Sequence, residues 1–246
     1  RGPDPLVTKP AEAGTDVFAM DVGSGSNSIP PGTFGSGFPV DFTLMREPAA
    51  SSQWYTTTRL QRYGYLRTND TTVEAQGNPS FQKDSNVGWG ADAYGSNWMS
   101  WMWKKCQGFD TVAYKGNSTA GRRIPHNLSK APEMIWIKCR SQGEDWVVGH
   151  KGLNGGTTPW NYALELNKDL AEVELANRWD NTAPSSIDFT VGSVGEINGN
   201  PETYIAMLFA SVAGISKVGY YAGTGSATTI TTGFQPRFTI IKNITA

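Results

Sequence analysis

Apolar residues along this chain fall in short runs separated by turn-forming Gly, Pro, Asn and Ser, and the runs recur in a fixed succession. Phe42-Thr43-Leu44-Met45-Arg46, Met134-Ile135-Trp136-Ile137-Lys138 and Phe238-Thr239-Ile240-Ile241-Lys242 read as three versions of one apolar strand that ends on a cation. From Phe42 to Met134 is 92 positions and from Met134 to Phe238 is 104. Such spacings are those of whole small domains and exceed the period of solenoid or propeller units.

The first two versions are followed by matching segments. Gln53 to Thr58 corresponds to Glu144 to His150, each built around a Trp, and Tyr63 to Asn69 corresponds to Asn161 to Asn167. The second pair alternates apolar and polar positions, as half-buried strands do. Each copy closes on its most apolar run, Trp98 to Trp103 and Tyr204 to Phe209; a run of that length between turn signals is a strand buried on both faces or in the sandwich centre, with a short helix as the alternative that periodicity leaves open. Helical character is confined to Asn167 to Trp179, predicted as a turn or two, whereas its counterpart Asp70 to Ser80 contains Gly77 and Pro79 and reads as a loop.

Ahead of the second and third apolar strands stands a shared opening. Gly108-Phe109-Asp110-Thr111-Val112-Ala113-Tyr114-Lys115-Gly116-Asn117 is echoed by Gly214-Ile215-Ser216-Lys217-Val218-Gly219-Tyr220-Tyr221-Ala222-Gly223, and a worn copy begins at Asp16. The predicted organisation is an extended arm over 1–15, a first β-sandwich repeat over 16–107, a second over 108–213 and a partial third over 214–246. The partial unit would expose unpaired backbone. It is therefore expected to pack on the second repeat or to complete a sheet in a neighbouring chain.

Composition narrows the partners. The 21 Lys and Arg nearly cancel the 22 Asp and Glu, and charged residues make up 17% of the chain, so nothing favours nucleic acid or an anionic membrane surface. No apolar run reaches the length of a membrane span. The 28 Gly and 14 Pro with 11% aromatics fit a turn-rich all-β chain. The chain opens on Arg1, as expected of a processed or truncated product. Cys106 and Cys139 flank the central motif and are either bridged or two buried free thiols.

Reactive constellations are sparse. His126 and His150 occupy different phases of the repeat, without ligand spacing around them. Glu144 and Asp145, read as strand neighbours, would point to opposite faces. The sequence therefore predicts no enzyme, no cofactor and no metal. Aromatic residues offer the one ligand chemistry, since exposed rings are what sugars stack on, although core and interface use the same residues. Trp160, Tyr162, Trp179 and Asp180 are the candidate glycan-binding set, and Arg122, Arg123 and His126 the candidate subunit contact.

Gly108 to Asn117, Ile124 to Leu128, Ala131 to Lys138, Trp146 to Gly152 with Asn154-Gly155-Gly156, Trp179 to Pro184 and Tyr204 to Ala210 together resemble the repeat of tail-fibre and other virion structural proteins of marine bacteriophages. That resemblance implies tandem concanavalin A-like, jelly-roll β-sandwich domains, a virion location, and partners among copies of the chain and other virion proteins. It supplies no catalytic residues. The resulting expectation is a non-enzymatic structural protein in a tail fibre, tail accessory or capsid-decorating role, with a carbohydrate-binding module recognising a host-surface glycan as the alternative.

Overall fold

The computed structural model describes residues 13–26, 33–76, 81–91 and 94–245. Most of the expected arm, 1–12, and the end of the loop predicted to Ser80 lie outside the described residues, as does Ala246. The first half of the chain forms β1 (Phe18–Val22), β2 (Phe34–Gly35), β3 (Phe42–Arg46), β4 (Tyr55–Thr58), β5 (Gly64–Arg67), β6 (Ala75–Gln76), β7 (Phe81–Gln82), β8 (Gly88–Ala91) and β9 (Met99–Trp103). The second half forms β10 (Phe109–Lys115), β11 (Arg122–Pro125), β12 (Met134–Cys139), β13 (Val147–His150), β14 (Tyr162–Glu165), β15 (Val173–Glu174), α1 (Ala176–Trp179), β16 (Asp188–Val191), α2 (Gly195–Asn198) and β17 (Thr203–Phe209). The chain is all-β with antiparallel pairing, and its helices are single turns.

Strand order repeats between the halves. One six-stranded sheet runs β1-β9-β3-β4-β5-β6 and the other β10-β17-β12-β13-β14-β15, so corresponding strands occupy corresponding places. The register agrees as well. Phe42 pairs with Trp103 as Met134 pairs with Phe209, and Leu44 with Trp101 as Trp136 with Met207. The last strand of each half sits between its first and third, which requires that half to be complete before its sheet can close.

The apolar pattern shows how the sheets stack. Phe34, Phe81 and Trp89, from the small sheet β2-β8-β7, pack with Met45 and Met102 on one face of the first large sheet. Ile124, Phe189 and Val191, from the pair β11-β16, pack with Ile135, Ile137 and Leu208 on one face of the second. The remaining faces meet each other. Phe42, Leu44 and Leu66 from the first sheet share a core with Phe109, Trp136, Trp146 and Met207 from the second. Four β layers result, and the two central sheets are covered on both sides. For this reason β17 is buried at all five of its interior positions, while β5, near a sheet margin, alternates buried and half-buried positions.

The large sheets of the two halves share the central core. One expectation is corrected: the C-terminal piece does not form sheet, since among the described residues after Phe209 the only pairing is the isolated bridge between Val212 and Ser216. Phe238 instead rests on Phe18, Trp101 and Trp103 with ring centroids 5.4 to 5.9 Å apart. Glu172 donates its backbone N–H to Ile244 O at 3.0 Å. The two cysteines are not bridged to each other: Cys139 is buried in the second sheet and Cys106 half-buried before β10.

Phe42, fully buried in the shared core, touches Phe109 of the other half at 5.3 Å. Phe42→Ala should destabilise the protein by about 3–5 kcal/mol. Calorimetry should show the two halves melting in one transition, both in the parent and in the variant; two resolved transitions would refute a common core.

Candidate functional site

The seam between the large sheets holds the molecule's most committed polar groups. Arg140, just past β12, donates from Nε and Nη2 to the two carboxylate oxygens of Glu74 at 2.6 and 2.8 Å. Glu74 lies in the other half of the chain and its side chain is 7% exposed. Its backbone N–H also donates to Arg140 O at 2.8 Å, and Gln61 Nε2 donates to its Oε2 at 2.9 Å. The pairing with Glu74 is the main cause holding the Arg140 guanidinium above its usual range. Beside this clamp Trp146 donates Nε1–H to Arg67 O at 2.7 Å across the seam. Lys138, fully buried, donates from Nζ to Cys139 O at 2.8 Å, Gln142 O at 3.2 Å and, across the seam, Thr71 O at 3.3 Å. Burial pushes this lysine down, nearby thiol and carboxylate groups oppose it, and the three carbonyls saturate its donors.

A cleft of about 500 Å³ opens where the seam meets the C-terminal tail, between Leu44 and Trp54 of the first half, Trp136 and Lys168 of the second, and Phe238 and Ile240 of the tail. Such a volume suits a small ligand. Its two sides show the repeat in detail. Asn69 Oδ1 accepts the Trp54 backbone N–H at 3.0 Å, and Asn167 Oδ1 accepts that of Trp146 at 2.9 Å. The Asn Nδ2 groups donate to Gln53 at 2.7 Å and Asp145 at 2.8 Å respectively. The rings diverge. Trp146 is buried, while Trp54 is half-buried, its ring tilted against Trp101 with centroids 5.4 Å apart and the Arg46 guanidinium 5.1 Å from its centroid. Lys168 at the rim is bound to Asp145 at 2.6 Å and Glu165 at 2.9 Å, which raises its pKa above the ordinary lysine range. Partial burial pushes the Asp145 carboxyl up, but hydrogen bonds from Lys168 and Asn167 outweigh it and hold it down.

The candidate glycan set does not converge. Trp160 and Trp179 are buried at 6% and 1% exposure and meet edge to face at 5.4 Å in the second outer core. Gly149 of β13 admits them: a Cβ there would lie 2.5 Å from the Trp160 ring and 2.7 Å from that of Trp179. Their predicted open ring faces are therefore corrected to core packing. Tyr162 packs against the shared central core. Asp180 is exposed, in the left-handed turn that ends α1 at φ 50°.

The predicted subunit contact is also largely internal. His126 is buried at 7% exposure; its Nδ1 accepts from Leu128 N at 3.2 Å, so Nε2–H is the donor to Ser185 O at 3.2 Å. Arg122 donates from Nη1 to Lys115 O and to Asn198 Oδ1 at 3.1 Å. Only Arg123 keeps an exposed side chain, and it is paired with Asp188 at 2.8 Å. Glu144 and Asp145 precede β13 in a loop and are not strand neighbours. Among the described residues no group of three or more His, Cys, Asp or Glu is placed to hold a metal ion, and no helix is long and apolar enough to cross a membrane.

Sequence reasoning passed over Lys83. Its side chain is buried against the Trp89 ring, 4.9 Å from Nζ to the centroid, and Nζ donates to Thr57 Oγ1 at 3.2 Å. Burial, helped by the nearby Arg59 charge and opposed by Asp41, pushes its pKa well below 10.5. A model of the family described as a domain of unknown function (DUF7483) matches residues 14–246. No curated protein and no solved structure matches the chain.

Arg140→Met leaves Glu74 buried and unpaired, and should cost about 3–5 kcal/mol, much of it recovered by adding Glu74→Gln; urea melts of the single and double variants measure both. Lys83 binds its proton less tightly folded than unfolded. Between its depressed folded pKa and 10.5 the unfolded state therefore holds more protons, and stability rises with pH across that window. Lys83→Met should be more stable than the parent at pH 7, with the gap closing as the pH approaches 10.5. A gap independent of pH would show that Lys83 is charged in the folded state.

Proposed function

As the chain belongs to the DUF7483 family, whose description assigns no activity, we propose from its architecture that it is a non-enzymatic structural component of a bacteriophage virion, in a tail fibre, tail accessory or capsid-decorating position. The observation that carries this reading is the seam. Two units of like strand order bury corresponding faces against each other and are locked by the Glu74–Arg140 pair, an arrangement suited to bearing load and holding shape. The units are assigned here as tandem concanavalin A-like jelly rolls. Location in the particle, and partners among copies of the chain and other virion proteins, come from the resemblance of the Gly108 to Lys242 motifs to virion proteins.

The cleft supports a second reading, a carbohydrate-binding module for a host-surface glycan. It would use Trp54 with the amides of Asn69 and Asn167 and leave Trp160 and Trp179 in the core.

Antibodies against the folded chain should decorate purified phage particles at regularly spaced positions in electron micrographs, and glycan arrays should stay flat. Label absent from particles would refute the structural role. Array binding abolished by Trp54→Ala, with the melting temperature unchanged, would establish the second reading.

A further inference from the structure

After β17 the chain is fixed to the body of the molecule in two places. The first ends at Tyr220. Val218 is buried and donates its N–H to Ser211 Oγ at 3.0 Å, Val212 and Ser216 form a bridge, and Tyr220 lies on Gly152 and Gly156, where an added Cβ would stand 2.5 Å from it. The second runs from Arg237 to Ile244. Phe238 rests on Phe18, Trp101 and Trp103, and the Arg237 guanidinium is 6.0 Å from the Phe18 centroid. Lys242 Nζ donates to Lys168 O at 2.7 Å, and Ile244 O accepts the Glu172 N–H at 3.0 Å. This strap, 237–244, therefore has a seat built from both halves of the chain.

The linker between them, 221–236, is held by nothing comparable. Positions 221–231 are all exposed. Among the described residues its hydrogen bonds stay within it, from Thr224 and Thr228 to Ser226 and from Thr232 to Phe234. A Cβ at Gly223, Gly225 or Gly233 would meet no heavy atom within 4 Å. The linker contains no strand or helix. Connections of this length without secondary structure are uncommon in compact proteins and usually functional. Fully extended, it reaches about 50 Å. The seat would make the same contacts whichever copy of the chain supplied the strap.

We propose that 237–244 is an exchangeable strap and that the partner it joins is a second copy of this chain. Each linker crosses to the neighbour and each strap fills the neighbour's seat, so that a pair closes with neither seat empty. Every contact of the seat is kept. The two crossing linkers run side by side, which gives apolar neighbours to Tyr221 and Ile230, 48% and 47% exposed in the single chain. What opposes exchange is the nearness of a copy's own strap. A flexible linker holds it at an effective concentration of about 1 mM. Exchange therefore prevails where copies are crowded to that level, as in an assembly, and dilute copies keep their own straps. The inference rests on the assembly of copies and not on a place in a virion.

Two full-length chains test it, one with Lys168→Cys to mark the seat and one with Lys242→Cys to mark the strap, positions that adjoin in the structure. Both carry Cys106→Ser, which leaves Cys139 buried and one accessible thiol per chain for a short bismaleimide. Refolded together at about 1 mM, the two should give a covalent heterodimer whose 168–242 link is read by mass spectrometry, and at about 10 µM at least tenfold less of it. Either chain alone should give only background dimer. Adding Phe238→Ala to the Lys242→Cys chain should abolish the link, with a cooperative melt confirming that this chain is folded. A heterodimer yield no greater than the single-chain backgrounds at the higher concentration, or a link undiminished by Phe238→Ala, would each overturn the proposal. Neither failure would bear on the labelling of particles.

Discussion

The contact between the two large sheets constrains everything else in this molecule. A sheet with one face in water can alternate apolar and polar residues, but a sheet covered twice cannot. Burying the second face of each sheet against the other therefore sets the composition of the closing strands. β17 sends Tyr204, Ala206 and Leu208 into one core and Ile205 and Met207 into another. β12 divides Ile135 and Ile137 from Trp136 in the same way. Burying a polar group at this depth is costly unless it is matched. The bidentate Glu74–Arg140 pair, the Lys138 Nζ bond to Thr71 O and the Trp146 indole bond to Arg67 O supply such matches across the seam.

Because corresponding faces meet, the halves are related by an approximate symmetry, and the cleft lies where that symmetry fails. The Asn69 and Asn167 hydrogen bonds are the same on both sides. Trp146 is sealed under its own half's neighbour, whereas Trp54 stays at the margin between Arg46 and Trp101. The tail then enters on the Trp54 side, with Phe238 laid on the aromatic row of the first sheet. A ligand reading of the cleft and an assembly reading of the tail therefore compete for one place, since Phe238 and Ile240 are part of the cleft wall.

The sequence made the central strands legible because period and composition agree there. Phe42 to Arg46, Gln53 to Thr58 and Tyr63 to Asn69, with their counterparts in the second half, contain the observed strands, save that β12 runs one residue past Lys138 to Cys139. Pairings between short segments were hidden. β2, β7 and β8 are too brief to carry a period, and Glu74 finds Arg140 66 positions away. Trp160 and Trp179 misled because their polar neighbours suggest a surface loop; what buries them is the missing Cβ of Gly149 on another strand. Phe238 to Lys242 misled for the opposite reason. Its local pattern is that of a strand, but a strand needs a hydrogen-bonded neighbour, and among the described residues this segment pairs with none.

That dependence also separates the two functional classes by where the molecule leaves its free energy unspent. A binding module ordinarily leaves it in a pocket, with rings and polar groups held open by the scaffold. Here the pocket groups are occupied with each other: Lys168 by two carboxylates, Asn69 and Asn167 by backbone and side chain, and Trp54 by Arg46 and Trp101. The tail, by contrast, carries five of the large exposed apolar residues, Tyr220, Tyr221, Ile230, Ile240 and Ile241. Exposed apolar side chains suit contact with another apolar surface more readily than with a soluble sugar.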